Sequence, residues 1–255
     1  MNSINRISTG LQGADTVIDF LRLGDNVVWQ VDSLEAYAFV ANRFVCQAVN
    51  DNRRLIYIHF GDHPRLVDES ALRGAGADFQ IYTINAGVGF ESFTSAVYRI
   101  ITFEGRQAFY VFDCLSELQK YWCSDLMTGN FFQVTCPYLF ELDTVAYFAL
   151  YRNAHAQDTV ARIREVTQVL LNLYTIDRQY YLHPLKVWER YSPVMFLPHL
   201  LTESTAECIT DSASTAELFS TLQIQTKKLD YWDILFEEAK PYLDAPLSEQ
   251  APTKD

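Results

Sequence analysis

Short apolar runs alternate along this chain with longer stretches in which apolar residues recur every three or four positions. Asn26 to Val31 (NVVWQV), Leu55 to Phe60 (LIYIHF), Phe79 to Ile84 (FQIYTI), Ala108 to Asp113 (AFYVFD) and Thr144 to Tyr151 (TVAYFALY) have the length and apolar content of buried strands. Between them, Leu34 to Val49, Phe90 to Phe103, Leu115 to Cys123 and Leu126 to Leu142 carry helical spacing, with Pro137 expected to kink or break the last of these. Asp158 opens a further short helix to Arg164. Val169 to Tyr174 and Tyr180 to Trp188 flank Asp177-Arg178 and read as a hairpin. Strands separated by helices predict an α/β domain with a mainly parallel sheet, and the hairpin adds antiparallel strands at one edge.

The last quarter differs. Residues 202–255 hold eleven acidic and four basic residues, more than half of the net charge of −12. Glu203 to Thr215 reads as a linker or loop, Ala216 to Leu222 and Leu229 to Leu243 as helices, and Pro246 to Asp255 as a polar end that frays. The expected division is an α/β domain over 1–200 and an acidic linker with a helical C-terminal tail over 201–255, leading toward a further domain.

Composition narrows the function classes. With 255 residues, 49% of them apolar, the chain has enough apolar surface for a sizeable core. Twenty Lys and Arg against 32 Asp and Glu leave no general basic face for nucleic acid or for anionic lipid. No run is long and apolar enough to cross a membrane. Five cysteines, Cys46, Cys114, Cys123, Cys136 and Cys208, form no CxxC pair and sit mostly in apolar runs, which fits a reduced, cytoplasmic setting. The expectation is therefore a cytoplasmic protein with no nucleic-acid or membrane partner; that it is a monomer or homodimer and not a ring follows only from the resemblance given next, whose phosphate loop is missing here.

The opening Ser8-Thr9-Gly10-Leu11-Gln12-Gly13-Ala14-Asp15, then Leu23-Gly24-Asp25-Asn26 and the strand Val27 to Val31, resembles the start of RecA-like ATPases of the KaiC type. In that family a phosphate loop GxxxxGK[ST] follows the first strand, its backbone amides and Lys holding phosphates and its hydroxyl holding Mg²⁺. Here the eight positions read Val31-Asp32-Ser33-Leu34-Glu35-Ala36-Tyr37-Ala38. Tyr37 stands for the Lys, Ala38 for the hydroxyl, and no glycine remains. Asp32 and Glu35 add two negative charges, each costing on the order of 4 kcal/mol against a phosphate at about 4 Å in an effective dielectric near 20. The resemblance implies that Tyr110 to Ser116 (YVFDCLS) corresponds to the Walker B strand, with Asp113 as the acid that orders Mg²⁺. It implies also that Gly61-Asp62 stands where active relatives carry paired glutamates, and that Leu185 to Ser192 is the late strand that carries a Lys and an Arg, here Lys186 and Arg190.

A second set of strings is similar to the N-terminal region of bacterial pyruvate-phosphate-dikinase-like and phosphoenolpyruvate-synthase-like proteins. These are Asn26 to Ser33 (NVVWQVDS), Phe109 to Leu118 (FYVFDCLSEL), Ser124 to Phe132 (SDLMTGNFF), Cys136 to Leu150 (CPYLFELDTVAYFAL) and His183 to His199 (HPLKVWERYSPVMFLPH). The resemblance implies an ATP-grasp domain, in cis or on a partner protein, as the neighbour of this region, and a RecA/KaiC-like sheet whose phosphate loop has degenerated.

Candidate ligand contacts are then Asp113, Asp62, His63, Lys186 and Arg190, together with His59 of the H-x-x-D-H string. Each also has a structural reading. His59 can alternate into the sheet, His63 can lie in a solvated loop before Pro64, and Asp113 can cap the turn that follows it. Asp32 and Ser33 can cap the helix at Leu34. Arg152, His155, Lys186, Arg190 and His199 can gather an anion or be scattered surface charges. The aromatics from Trp122 to Phe148 can pack the core or form an interface. Ser116, Cys114 and the histidines show no nucleophile motif, and no zinc spacing occurs. No catalytic residue, metal or cofactor is expected, ATP with Mg²⁺ being disfavoured. Two functions remain open: a non-catalytic interaction or regulatory module of a phosphoenolpyruvate-synthase-like or dikinase-like phosphotransferase, and a nucleotide- or phosphate-binding, ATPase- or kinase-related domain that uses altered contacts.

Overall fold

Along the strand Asn26–Val31, Val27, Trp29 and Val31 turn to one side and Val28 to the other, and all four are fully buried. A strand so covered belongs in the middle of a sheet with helices on both faces. The computed structural model describes residues 6–224 except 70, 71, 73–75 and 123, and places it there. In chain order the elements are α1 (Gln12–Ile18), β1 (Asn26–Val31), α2 (Leu34–Asn50), β2 (Leu55–His59), β3 (Phe79–Thr83), α3 (Phe90–Glu104), β4 (Phe109–Cys114), α4 (Asp125–Glu141), β5 (Val145–Tyr151), α5 (Gln157–Val166), β6 (Val169–Ile176), β7 (Gln179–Val187), β8 (His199–Leu201) and β9 (Ala206–Cys208). Short 3-10 turns cover Ala86–Val88 and Leu115–Lys120.

The strands form one sheet in the order β3-β2-β4-β5-β1-β6-β7-β8-β9. From β3 to β6 every pairing is parallel, and β6 to β9 pair antiparallel. This is the mostly parallel α/β sheet with an antiparallel edge hairpin expected from the alternation of strands and helices. α1 and α2 pack on one face, over Trp29, Tyr57, Val111 and Tyr147. α3, α4 and α5 cover the other, over Val28, Ile58, Phe112 and Phe148. Phe44 of α2 stacks on Tyr147 with ring centroids 4.0 Å apart, and Phe112 stacks on Phe148 at 4.5 Å.

Two expectations are corrected. Of the kink or break expected at Pro137, the break does not occur: Pro137 lies inside α4. It is on the exposed side of the helix, so the Gln133 carbonyl that loses its amide partner is not sealed into the core. The stretch 203–215 is not only a loop: β9 carries the sheet past residue 200, and a helix covers 212–224. The helical stretch expected from Leu115 is a 3-10 helix that ends at Lys120. The chain divides into two compact units, residues 1–209 and 210–255. The expected helix Leu229 to Leu243, the polar end Pro246 to Asp255 and Cys123 lie outside the described residues. Among the described residues no helix is long and apolar enough to cross a membrane.

The aromatic segment from Trp122 to Phe148 is core. Phe131, Phe132, Tyr147 and Phe148 are fully buried and Trp122 nearly so, leaving Leu126, Val134 and Phe140 as the exposed large apolar side chains among its described residues.

The opening Ser-Thr-Gly string has a structural job. Buried Asp15 accepts hydrogen bonds from the Ser8 hydroxyl and from Thr9 N, the latter at 2.7 Å. This closes the turn before α1. Gly10 has φ +80°, and a Cβ there would lie 2.0 Å from the Arg43 carbonyl oxygen; one on Gly13 would lie 2.3 Å from that of Thr205. Both neighbours are backbone, so neither can turn aside. Gly13→Ala is therefore expected to cost about 1–3 kcal/mol, the usual range for overpacking. A thermal melt equal to that of the parent would contradict this close docking of α1 on the β8–β9 turn.

Candidate functional site

Parallel strands put their C-terminal ends at the edge where α/β proteins hold ligands. On β2, Tyr57 and His59 share a face, two residues apart, and Asp113 on adjacent β4 opposes them. The Asp113 side chain is completely buried. Tyr57 donates its hydroxyl to Oδ1. Oδ2 meets His59 Nδ1 at 2.7 Å, Phe60 N at 2.7 Å and Gly61 N at 2.9 Å. A carboxylate only accepts, so His59 Nδ1 carries the proton. Four donors match what a carboxylate can take. Burial, then the Asp113 charge, pushes the Tyr57 hydroxyl far above its ordinary range, and Tyr57 also accepts from Leu66 N.

Tyr37 reaches the same strand from α2. It is fully buried, and its hydroxyl donates to the Phe112 carbonyl at 2.7 Å. Burial and the nearby Asp113 charge raise its pKa well above that of a free tyrosine. The residue that the resemblance sets against a phosphate-loop lysine is thus a core side chain pinned to the strand that bears Asp113.

The two ends of the H-x-x-D-H string part company with its middle. His63 is not in a solvated loop: its ring turns inward, with Nε2 buried, without a hydrogen bond and 3.8 Å from Asp113 Oδ2. Asp62 points away, accepting from Tyr121 Oη at 2.9 Å with Lys120 Nζ at 3.9 Å. Among the described residues no group of three or more His, Cys, Asp or Glu is arranged to hold a metal ion.

The turn after β1 is closed by the chain itself. Ser33 alone caps α2, accepting from Ala36 N at 3.3 Å. Asp32, expected to share that cap, instead bridges to Arg152 Nε at 2.6 Å and to Thr175 N at 2.8 Å. Its carboxylate ties the ends of β1, β5 and β6 together at the turn where the resemblance would put a phosphate.

Lys186 and Arg190 do not join Asp113. Strands β5, β1 and β6 lie between β4 and the strand of Lys186. Lys186 Nζ donates to the Arg164 carbonyl at 2.5 Å, and burial lowers its pKa. Arg190 is buried at the opposite end of β1, bound through both terminal nitrogens to Asp25. His199 is buried in β8, and that burial lowers its pKa.

A second network escapes sequence reading. Ser116 Oγ lies 2.6 Å from His155 Nε2, and His155 Nδ1 bonds to Asp125. Burial would raise the Asp125 pKa, but hydrogen bonds from His155, Thr159, Ala156 N and Gln119 outweigh it and hold it below the usual value. The order is that of a serine hydrolase relay. Ser116, however, is buried and accepts Tyr151 N at 2.8 Å, so the network clamps the ends of β4 and β5 to the start of α4. Its members are 9 and 30 residues apart, a spacing that carries no motif.

No family model matches this chain, and no curated protein matches it.

Proposed function

We propose that this chain is a non-catalytic RecA/KaiC-like interaction or regulatory module that works with a phosphoenolpyruvate-synthase-like or pyruvate-phosphate-dikinase-like phosphotransferase. One observation carries the first half: the buried carboxylate of Asp113, which the resemblance sets as the Mg²⁺-ordering acid, is taken up by Tyr57, His59 and two backbone amides. Asp32 adds a bound negative charge to the turn after β1, where the resemblance would put a phosphate. Exchanging such donors for a hydrated cation would leave several buried groups without partners, each at about 1–3 kcal/mol. The second half rests on the long strings quoted above.

Purified protein is expected to hydrolyse ATP no faster than background and to melt at the same temperature with or without Mg²⁺-ATP, ADP and AMP. A nucleotide bound at 100 times its Kd would add about 2.7 kcal/mol. ATP turnover that Asp113→Asn abolishes in a still-folded protein would refute the reading. Light scattering is expected to show a monomer or dimer, and an ATP-dependent mass near six subunits would count against it. Mixing with a phosphoenolpyruvate-synthase-like enzyme tests the partner: no complex and no change in its rate would remove that half of the proposal.

A further inference from the structure

A cleft of about 390 Å³ opens between α5 and the sheet, apart from Asp113 and its partners. Its floor is Gln30 of β1, Leu170 and Asn172 of β6 and Leu185 of β7. One side is the face of α5 bearing Val160, Ala161 and Arg164, and Arg152 and the buried His155 line another.

Two features set it apart from a packing defect. The first is the floor. Gln30 and Asn172 are paired positions on neighbouring strands, on the face where Val28 and Leu170 are core residues. Asn172 Nδ2 donates to Tyr174 Oη at 2.9 Å, but Asn172 Oδ1 is buried with no partner. A buried amide oxygen left unpaired costs about 1–3 kcal/mol, and two aliphatic residues would fill this floor without that cost. The second is charge. The lining includes two arginines and a histidine but no carboxylate, in a chain where acids outnumber Lys and Arg 32 to 20. Arg152 uses Nε on Asp32, and Arg164 uses one terminal nitrogen on the Leu185 carbonyl. Each guanidinium has five N–H donors, so both keep donors to spare. Both nitrogens of His155 are engaged with Ser116 and Asp125, so its ring is wall only.

We infer that this cleft is a binding site for a small organic anion, a phosphate monoester or carboxylate that also carries a hydroxyl or amine. The guanidiniums take the anionic oxygens, with Arg164 as the principal contact, and the donor of the ligand satisfies Asn172 Oδ1. The volume is within the range of small-molecule sites, about 300–1,000 Å³. This inference does not depend on the reading of Asp113, and ATP turnover does not bear on it.

The test is an NMR titration that follows the side-chain amide signals of Gln30 and Asn172. The probes are glycerol 3-phosphate, glycerate and, as the neutral control, glycerol. One or both anions are expected to shift these signals saturably by millimolar concentration, the stronger of the two identifying the anion class, while glycerol does not. Arg164 is exposed, so Arg164→Gln keeps the fold, and it is expected to weaken the anion by about tenfold, the worth of one charge-assisted contact. Asn172→Leu is expected to melt no lower than the parent yet to bind at least about tenfold more weakly, a trade of function for stability. Failure of both anions to saturate would overturn the proposal. So would unchanged affinity in Arg164→Gln or Asn172→Leu.

Discussion

Asp113→Ala is expected to lose about 3–5 kcal/mol of unfolding free energy, the range seen when one member of a buried charged network is removed. The alanine would leave the fully buried Tyr57 hydroxyl, the amides of Phe60 and Gly61 and the partly buried His59 Nδ1 without their acceptor. The damage would spread, because Tyr57 also holds Leu66 N and the turn after β2 is built on these amides. Asp113→Asn keeps the shape and one oxygen. Its amide group can face Tyr57, whose hydroxyl can turn and accept. That variant is expected to lose about 1–2 kcal/mol, the difference between charged and neutral acceptors. Urea denaturation of the three proteins measures both losses. A midpoint for Asp113→Ala equal to that of the parent would show that the carboxylate is spare, and so available for a ligand.

Arg190→Ala is expected to cost a similar amount, about 3–5 kcal/mol, for the opposite reason: it strands a carboxylate instead of its donors. Arg190 meets Asp25 through two bonds of 2.9 and 3.0 Å, and neither side chain is appreciably exposed. Burial raises the Asp25 pKa above 3.8 even though Arg190 pulls it down. Removing the arginine takes away that pull and raises the pKa further. The folded variant then holds a proton more tightly than the unfolded chain. Above the ordinary aspartate range the native state binds more protons than the unfolded one, so stability falls with rising pH and returns as pH drops through the folded pKa. The gap between parent and Arg190→Ala should therefore narrow on acidification from neutral pH toward the ordinary aspartate pKa. A gap that stays constant or widens would contradict this account. Asp25→Leu combined with Arg190→Met is expected to recover most of the loss, because matched apolar residues leave no charge buried alone.

Much of the fold was legible because it rests on local periodicity. The runs NVVWQV, LIYIH and FYVFDC are apolar on both faces, and only an interior strand of a covered parallel sheet uses such runs. Asp177-Arg178 marked the hairpin of β6 and β7. Whether Pro137 breaks its helix could not be read from sequence, because its cost depends on whether the carbonyl it orphans is wet, which is a matter of helix orientation. The pair β8–β9 was missed because three-residue strands have too little pattern to separate them from a loop.

For the site, the sequence by itself determined that the segment after the first strand carries no GxxxxGK[ST] pattern, and that an acid ends the fourth strand, because these are identities at positions set by a run of residues. It determined the α/β class for the same reason. Which groups meet was decided only by tertiary structure. Asp113 gathers donors from residues 57–61, Asp32 reaches Arg152 and Thr175, and Ser116 reaches His155 and Asp125. The same packing separated Lys186 and Arg190 from Asp113, although the resemblance had grouped them. Hydrogen bonds and ion pairs act over about 3 Å. Which residues come within that distance depends on strand order, which is set by how the whole core packs and not by spacing along the chain.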